Sequence, residues 1–209
     1  MKVLLINGSS NQKGCTYTAL CEIATTLKKE NIESEILQIG NASLRDCCGC
    51  MSCKSKTLGK CVFNDDIVNE VIEKAKEFDG FVFGTPVYFA HPSGRILSLL
   101  DRVFFAGGSS FKYKPAAAIV SARRAGTTAS FDVLNKYFTI NNMPVVSSQY
   151  WNNVHGFTPE DVKKDLEGLQ IMRTLGQNMA WLLKCIELGK QNGLIHPERE
   201  EQILTNFID

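Results

Sequence analysis

The stretch KVLLINGSS, residues 2–10, is an apolar run that ends in a glycine–serine turn. A short apolar run bounded by turn residues is typical of a β-strand that is buried on both faces. Residues 16–30 then carry apolar side chains at helical spacing, with two lysines in the last turn, where positive charge favours the helix dipole. The chain is therefore predicted to begin with a strand, a polar loop and a helix.

The same strand–loop–helix unit recurs along the chain. Four further strands are predicted at residues 33–39, 80–85, 115–121 and 144–148, and the run at 80–85 is predicted to stop at Pro86. Four further helices are predicted: from a cap at Asn64 or Asp65 to about residue 78, and at about 93–104, 127–141 and 159–189. Alternating strands and helices indicate right-handed βαβ units, and hence an α/β fold whose parallel sheet is covered on both faces.

Length and composition fit one domain. The 209 residues contain no internal repeat or linker, so residues 1–209 are predicted to form a single domain with a cysteine-rich loop at 47–61 and a C-terminal helical extension at about 159–209. The net charge of +1 predicts no binding to nucleic acid or to a membrane. No signal peptide and no membrane span are recognisable, so the chain is expected in the cytoplasm, where thiols stay reduced.

Three loops should meet at the carboxyl ends of the strands, where open α/β sheets bind their ligands: residues 8–17, 86–92 and 122–127. The first loop offers hydroxyls, an amide and backbone N–H groups at a helix N-terminus, a combination that suits a phosphate monoester. It matches neither the G-x-G-x-x-G dinucleotide motif nor the P-loop. An ordinary polar turn with a helix cap remains the alternative.

Four segments resemble the flavodoxin-like NAD(P)H-dependent FMN reductases. They are GSSNQKGCTYT at residues 8–18, TPVYF at 85–89, SGRILSLLDR at 93–102 and the glycine-containing loop SARRAGTT at 121–128. The resemblance covers roughly residues 1–155, and TPVYF followed by the Asp–Arg pair is its most specific part. It implies a three-layer α/β/α sandwich with a five-stranded parallel sheet in the order 2-1-3-4-5, and FMN as the cofactor.

The resemblance also implies which residues contact FMN. The phosphate would lie on the first loop, the isoalloxazine ring would lie against the second, and the third would complete the site. A flat ring needs an apolar surface together with backbone groups for its polar edge, which the second loop offers; plain core contacts are the alternative for its aromatic residues. The predicted set is Ser9, Ser10, Asn11, Gly14, Cys15, Thr16, Tyr17, Pro86, Val87, Tyr88, Phe89, Ser121, Arg123, Arg124 and Gly126.

Three polar residues in and after the third loop have two interpretations each. Arg123 and Arg124 either steady negative charge on reduced FMN or on the phosphate of NADPH, or are solvated surface arginines. His155 either donates a proton to the reduced flavin or to an acceptor, or caps a surface loop.

The segment CCGCMSCKSKTLGKC, residues 47–61, holds five of the eight cysteines. Its C-x2-C-x2-C run is the compact spacing that surrounds one corner of a [4Fe–4S] cluster, with a fourth thiolate farther along the chain. The segment resembles that of the iron–sulfur flavoproteins, a branch of the same family. This implies Cys47, Cys50, Cys53 and Cys61 as ligands, although the last gap is longer and Cys48 is additional. Structural zinc, a redox dithiol and metal-free structural thiols remain alternatives.

The sequence favours an FMN-dependent oxidoreductase. NAD(P)H would pass a hydride to FMN, and the electrons would go to a small acceptor such as a quinone or flavin, or to the cluster; no catalytic acid or base is required. The alternative is a non-enzymatic carrier of flavodoxin type, against which the C-terminal extension and the near-zero net charge argue. FMN sites in the family lie near subunit interfaces, so a homo-oligomer, dimer or tetramer, is expected, with Phe89, Tyr150 or Trp151 at the contact.

Overall fold

The structure is a computed structural model that describes residues 1–57, 59–198, 200–201, 203–205 and 207. Its centre is a parallel sheet of five strands in the order β2-β1-β3-β5-β6, with β4 paired antiparallel to β3 as a short hairpin. The strands are β1 Lys2–Asn7, β2 Glu33–Gln38, β3 Gly80–Tyr88, β4 His91–Pro92, β5 Ala116–Ala122 and β6 Asn153–His155. Counted over the parallel strands alone, this is the predicted order 2-1-3-4-5.

Helices cover both faces of the sheet, so the predicted three-layer α/β/α sandwich is confirmed. The helices are α1 Cys15–Lys29, α2 Ser52–Ser55, α3 Val68–Glu77, α4 Gly94–Gly107, α5 Thr127–Ile140, α6 Pro159–Lys164 and α7 Leu166–Gln191. A 3₁₀ turn, Gly108–Ser110, follows α4. Within the described part of the chain, no helix is both long enough and apolar enough to cross a bilayer.

Alternate residues of β1 serve two separate cores, because successive side chains of a strand point to opposite faces of the sheet. Leu4 and Ile6 pack on the face covered by α3, α4 and α5. Val3 and Leu5 pack on the face covered by α1 and α7. All four side chains are fully buried, which is why the strand is apolar throughout.

The strand predicted to stop at Pro86 is longer than the sequence indicates. β3 runs to Tyr88, with Pro86 in register with Ser121 of β5, and then turns into β4. Proline is tolerated because the pairing of β3 with β1 ends at Gly84, which leaves one side of β3 as a free edge where a missing N–H costs no ladder bond. The extra residues carry Val87 and Tyr88 over the end of the sheet.

The fifth strand predicted at residues 144–148 is wrong in its main part, since the edge strand is β6. Val146 N donates to the Ala116 carbonyl at 2.8 Å, so the predicted segment pairs only with the first residue of β5. The chain then leaves the sheet and returns beside the last residues of β5. In the gap, Asn152 Nδ2 donates to the Ala118 carbonyl at 3.0 Å. A buried side-chain amide replaces a ladder bond there, and hydrophobic patterning cannot reveal it.

Two predicted helix boundaries also differ. The cap at Asn64 or Asp65 is wrong, because α3 begins at Val68, whose N–H donates to the Asp66 carboxylate at 3.1 Å. The helix predicted from residue 159 is two helices, because Asp165 leaves the helical conformation and caps α7 with its side chain. Beyond α7, the described residues of the extension form no helix. The predicted domain also includes residues 58, 199, 202, 206, 208 and 209, which lie outside the described residues.

Candidate functional site

A cavity of about 290 Å³ lies at the carboxyl ends of β1, β3 and β5, where the three loops meet. We call it the hydroxyl cavity. Most of the residues predicted to contact FMN line it: Ser9, Asn11, Gly14, Cys15, Thr16, Pro86, Val87, Tyr88, Ser121 and Arg123. The topology therefore brings residues that are far apart in the sequence to one edge of the sheet, as expected for an open α/β fold.

Asn7, the last residue of β1, fixes the first loop from beneath and is fully buried. Its Oδ1 accepts the N–H of Ser9 at 3.1 Å, and its Nδ2 donates to Gln38 Oε1 at 2.5 Å. Gln38, at the end of β2, donates in turn to the Ser9 carbonyl at 2.6 Å. Amides from two neighbouring strands thus hold both backbone groups of Ser9, so the loop leaves β1 in one direction.

The N-terminus of α1 faces the cavity without a capping side chain. Gly14 is the N-cap residue and makes no side-chain hydrogen bond, and the first turn of α1 contains no acidic residue. The first N–H groups of a helix have no partner within the helix, so those of Cys15 and Thr16 are available to an anion, and the helix dipole adds to the attraction. A phosphate group fits this end of the cavity.

Buried hydroxyls join the first loop to β5. The hydroxyls of Thr16 and Ser121 lie 2.8 Å apart and form one hydrogen bond across the base of the cavity. Ser9 Oγ accepts the N–H of Asn11 at 3.1 Å. These groups give the cavity neutral donors and acceptors next to the helix terminus, which suits a ligand that is both anionic and rich in oxygen.

The β3–β4 hairpin forms the second side of the cavity. Its apolar surface begins at Pro86 and ends at Tyr88, which is about half exposed. The hairpin is tied to the first loop through two hydroxyls: Thr85 Oγ1 accepts the N–H of Ser93 at 3.1 Å, and Ser93 Oγ donates to the Gly8 carbonyl at 3.2 Å. The apolar surface and the phosphate-binding end therefore keep a fixed spacing.

The other residues of the predicted set do not line the hydroxyl cavity: Ser10, Tyr17, Phe89, Arg124 and Gly126. Ser10, Phe89 and Arg124 are exposed. The pKa of Tyr17 is raised, with Cys21 of the same helix as the main cause.

Gly126 supports the hairpin. Its φ of +91° lies in the left-handed region, and a Cβ there would be 2.4 Å from Ala90 Cα and 2.9 Å from Val87 Cγ1. Only glycine lets the start of α5 approach the hairpin this closely. Phe89 and Ala90 also have positive φ values, of 52° and 59°, so the hairpin tip is a tight turn. Gly126 thus affects the cavity indirectly, because it lets the start of α5 pack closely against Val87, which lines the cavity.

The sequence reasoning missed part of the third side of the cavity: Gly156 and Phe157 lie there beside Ala122 of the third loop. The Cys15 thiol donates to the Gly156 carbonyl at 3.5 Å, which closes this side against α1. Burial raises the pKa of Cys15, so this side chain is a neutral thiol. Residues 156 and 157 follow β6, and with the last strand placed at 144–148 nothing indicated that they reach the same edge of the sheet.

His155 lies beside a neighbouring cavity with Trp151 and Asp165. Its Nδ1 is 3.9 Å from Asp165 Oδ2, and the His155 N–H donates to the same oxygen at 2.6 Å. The imidazole is thus oriented toward the cap of α7, and His155 does not line the hydroxyl cavity.

All five cysteines of the loop line a second cavity, which we call the cysteine cavity. Cys47, Cys48 and Cys50 are exposed, Cys53 is buried in the core beside α4, and Cys61 is half-buried. Within the described part of the chain, no three cysteine, histidine or carboxylate side chains stand close enough together to hold a metal ion. The donors are the right kind for an iron–sulfur cluster, but their sulfur atoms have not converged.

The end of the cysteine loop is anchored by hydrogen bonds to α3. Asn69 of α3 binds both backbone groups of Cys61: its Oδ1 accepts the Cys61 N–H at 2.8 Å, and its Nδ2 donates to the Cys61 carbonyl at 2.9 Å. Nearer the start of the loop, Gly49 and Met51 have left-handed backbone conformations, with φ values of +65° and +58°. The backbone of Cys61 is therefore held in place by α3.

A sequence profile of the family described as NADPH-dependent FMN reductase matches residues 1–158. The chain belongs to this family. An iron–sulfur flavoprotein of Methanocaldococcus jannaschii is 33% identical over 195 residues, which cover 90% of this chain and 100% of that protein. An iron–sulfur flavoprotein of Archaeoglobus fulgidus is 37% identical over 114 residues, which cover 54% of each protein.

Solved structures share the fold of this FMN reductase family member at low sequence identity. A flavone reductase superposes with a TM-score of 0.67 at 19% identity, over 90% of this chain and 64% of that one. An archaeal flavodoxin superposes with a TM-score of 0.58 at 13% identity, over 88% of this chain and 99% of that one. These likenesses confirm the flavodoxin-like sandwich, and family membership makes the protein an FMN-dependent oxidoreductase.

The hydroxyl cavity of this FMN reductase family member fits the chemistry of its cofactor. FMN carries a phosphate, a chain of hydroxyls and a flat, largely apolar ring. The uncapped N-terminus of α1 suits the phosphate, the hydroxyls of Ser9 and Ser121 suit polar groups, and the hairpin offers an apolar surface for the ring.

Proposed function

We propose that this FMN-dependent oxidoreductase accepts hydride from NAD(P)H and passes the electrons through a [4Fe–4S] cluster to a small-molecule acceptor. Cys47, Cys50, Cys53 and Cys61 would hold the cluster. The observation that supports the proposal is that these four thiols line one cavity of a chain whose hydroxyl cavity has the chemistry that FMN, the cofactor of its family, requires.

The protein's part at the hydroxyl cavity is binding and orientation. FMN, when bound, supplies the hydride-accepting chemistry and can release its electrons singly. The end of α1 would hold the phosphate, and the hairpin from Pro86 to Tyr88 would offer its apolar surface to the ring. Arg123, at the cavity edge, adds positive charge for the reduced ring or for the phosphate of NADPH.

The protein's part at the cysteine cavity would be to present thiolates. A [4Fe–4S] cluster, when bound, supplies one-electron transfer at a potential set by its surroundings. Besides the cysteines, the cavity is lined by the apolar groups of Val62, Phe63, Phe105 and Ala106, and by Asp46, Met51 and Arg102. The apolar groups beside the buried Cys53 and the half-buried Cys61 would limit solvent access on that side of a bound cluster and contribute to its potential.

The hydroxyl cavity also supports a second candidate, in which a quinone or free flavin takes a pair of electrons directly at FMN. Tyr88 is about half exposed and Phe89 is fully exposed, so an aromatic acceptor can reach this edge of the sheet. The same exposed aromatic residues, with Tyr150 and Trp151, are the surface that we propose for a homodimer contact.

The test is to purify the protein anaerobically and to measure its absorption spectrum, iron and acid-labile sulfide. We expect flavin bands and about four iron atoms per chain. Flavin without iron would reject the cluster and leave direct transfer to a quinone or flavin. A second measurement follows NADH and NADPH oxidation by the FMN-loaded protein with quinone and flavin acceptors. Absence of turnover with every acceptor would favour a non-enzymatic carrier.

A further inference from the structure

Arg102 of α4 is a positive charge inside the protein, only 2% exposed. Its charge is matched by Asp66, which accepts a hydrogen bond from Arg102 Nη1 and is itself buried. A buried ion pair is weak support for stability, because apolar residues of similar volume often replace such a pair without loss. The remaining contacts of the guanidinium therefore indicate what the pair does.

Two of those contacts meet on one sulfur atom. Arg102 Nε lies 3.4 Å and Nη2 lies 3.3 Å from Cys61 Sγ. The other donors reach the carbonyl oxygens of Arg45 at 3.2 Å and Phe63 at 3.4 Å. With the bond to Asp66, each of the five N–H groups of the side chain has an acceptor, so the guanidinium is fixed in one orientation.

A cation that donates twice to one sulfur is the arrangement expected around a metal-bound cysteine sulfur. A neutral thiol is a weak acceptor, whereas a thiolate or a metal-bound sulfur accepts charge-assisted hydrogen bonds. Asn69 fixes the backbone of Cys61, and Arg102 fixes its sulfur. Both the backbone and the sulfur atom of Cys61 are therefore held in place, as a metal ligand requires.

We propose that Arg102 is a positioning residue for the iron–sulfur centre, which holds Cys61 Sγ as the fourth ligand and raises the reduction potential of the cluster. The inference rests on the proposed function, since it requires a cluster at these cysteines. Hydrogen bonds to the sulfur atoms are one of the factors that set cluster potentials. Donors stabilise the more negative, reduced cluster more than the oxidised one, which fixes the direction of the effect. Asp66 keeps the buried cation paired.

The test uses the anaerobically prepared, FMN-loaded protein with two variants at this position. Arg102→Lys keeps the charge but cannot direct two fixed N–H groups at one sulfur. The double variant Arg102→Gln, Asp66→Asn removes both charges together, so that no buried charge is left unpaired. Iron content and the cluster midpoint potential are measured in each variant, and the FMN potential in the same sample serves as the internal reference.

We expect both variants to bind FMN. The equilibrium constant for reduction of the cluster should be about tenfold lower than in the wild type, which is a fall in its midpoint potential of about 59 mV for a one-electron couple. Loss of iron from a folded, FMN-loaded variant also supports the proposal, because Cys61 has then lost its position. Arg45→Gln is the matched control: this exposed arginine lies next to Phe63 and pairs with Asp65, but its side chain does not contact Cys61. Its cluster potential should stay at the wild-type value.

Full iron and an unchanged potential in both variants would overturn the role of Arg102 while leaving the cluster in place. An equal fall in Arg45→Gln would also overturn it, because the effect would then be one of general charge. If the double variant does not fold, Arg102→Lys decides the outcome by the same two measurements. A wild-type protein without iron would instead reject the proposed function itself, so the two failures are distinguishable.

Discussion

The hydroxyl cavity and the cysteine cavity are built in opposite ways. The first is formed by the ends of regular strands and the start of a helix, and buried hydrogen bonds from Asn7 fix its geometry. The second is formed by an irregular segment between β2 and α3, in which Gly49 and Met51 adopt left-handed conformations and three of the five thiols are exposed.

This difference indicates which site exists before its ligand binds. The sheet places the groups of the hydroxyl cavity whether or not FMN is present, since the same packing that buries β1 also aims the first loop. Most of the cysteine loop has little packing of its own, so in the proposed function bonds to iron would supply the free energy that brings its thiolates together. Variants of the two cavities should therefore respond differently.

The largest effect is expected at the cysteine cavity. Cys50→Ser should remove nearly all iron from the protein and leave FMN binding intact, because the lost ligand belongs only to the second cavity. Cys50 is exposed, so its replacement leaves no void in the core. Cys48→Ser is the matched control and should keep its iron. Iron and FMN content of the anaerobically purified variants provide the check; iron loss in both variants would make Cys48 a ligand.

The second effect is expected at Asn7. Asn7→Leu leaves the Ser9 N–H and the Gln38 amide without their buried partners, at a cost of about 1–3 kcal/mol. FMN should therefore bind about 10- to 100-fold more weakly, while iron content stays unchanged. Gln12→Ala in the same loop, where only a side chain at an exposed position is shortened, should bind FMN normally. Fluorescence titration of the FMN-free proteins measures both affinities, and equal FMN affinity of Asn7→Leu and wild type would contradict preorganisation by the strands.

A third effect, on stability, is expected at the hairpin. Gly126→Ala forces a side chain into the left-handed region and against Ala90, which should lower the free energy of unfolding by about 1–3 kcal/mol. Gly94→Ala, at the start of α4, meets nothing within 4 Å and should be neutral or slightly stabilising. Urea unfolding of the two variants makes the comparison. Equal stability would mean that the hairpin tip is free to move away from α5.

The smallest effect is expected at the capping box of α6, which holds the third side of the hydroxyl cavity. Thr158→Ala should cost about 1 kcal/mol at neutral pH. Hydrogen bonds from the backbone and side chain of Thr158, together with the Phe157 N–H, hold the pKa of Asp161 below its ordinary value. A carboxyl with a lowered pKa stabilises the fold above about pH 4, and this contribution is lost as the pH falls through its folded pKa.

The stability difference between wild type and Thr158→Ala should therefore shrink below about pH 4. Unfolding midpoints at pH 7 and pH 3 test this. A difference that stays constant with pH would mean that Asp161 does not depend on Thr158.

The fold was predictable from the sequence because its central strands are apolar on both faces and its helices carry regular stripes. β1 and β5 were therefore located to within a residue or two. β6 was not, because NVH has no hydrophobic signature and its neighbour Asn152 satisfies the sheet with a side chain. The helix break at Asp165 was hidden because its cap depends on a backbone turn that apolar periodicity does not report.

The candidate site was predictable where its residues lie directly after predicted strands, as in the first two loops. Gly156 and Phe157 could not be found, because their place depends on the misplaced last strand. Arg102 was visible only as part of the family motif. Its contact with Cys61 joins residues 41 positions apart, and only the packing of α4 against the cysteine loop reveals it.

The two outer strands of the sheet have a further consequence for self-association. β2 begins with Glu33, Ser34 and Glu35, and β6 at the other edge offers only three residues. Charged or very short edge strands are poor templates for a strand from another molecule, so the sheet resists growth into β-aggregates. We therefore expect copies of this chain to meet through side chains of helices and of the hairpin, and to stay dispersed at concentrations where a long bare edge would precipitate.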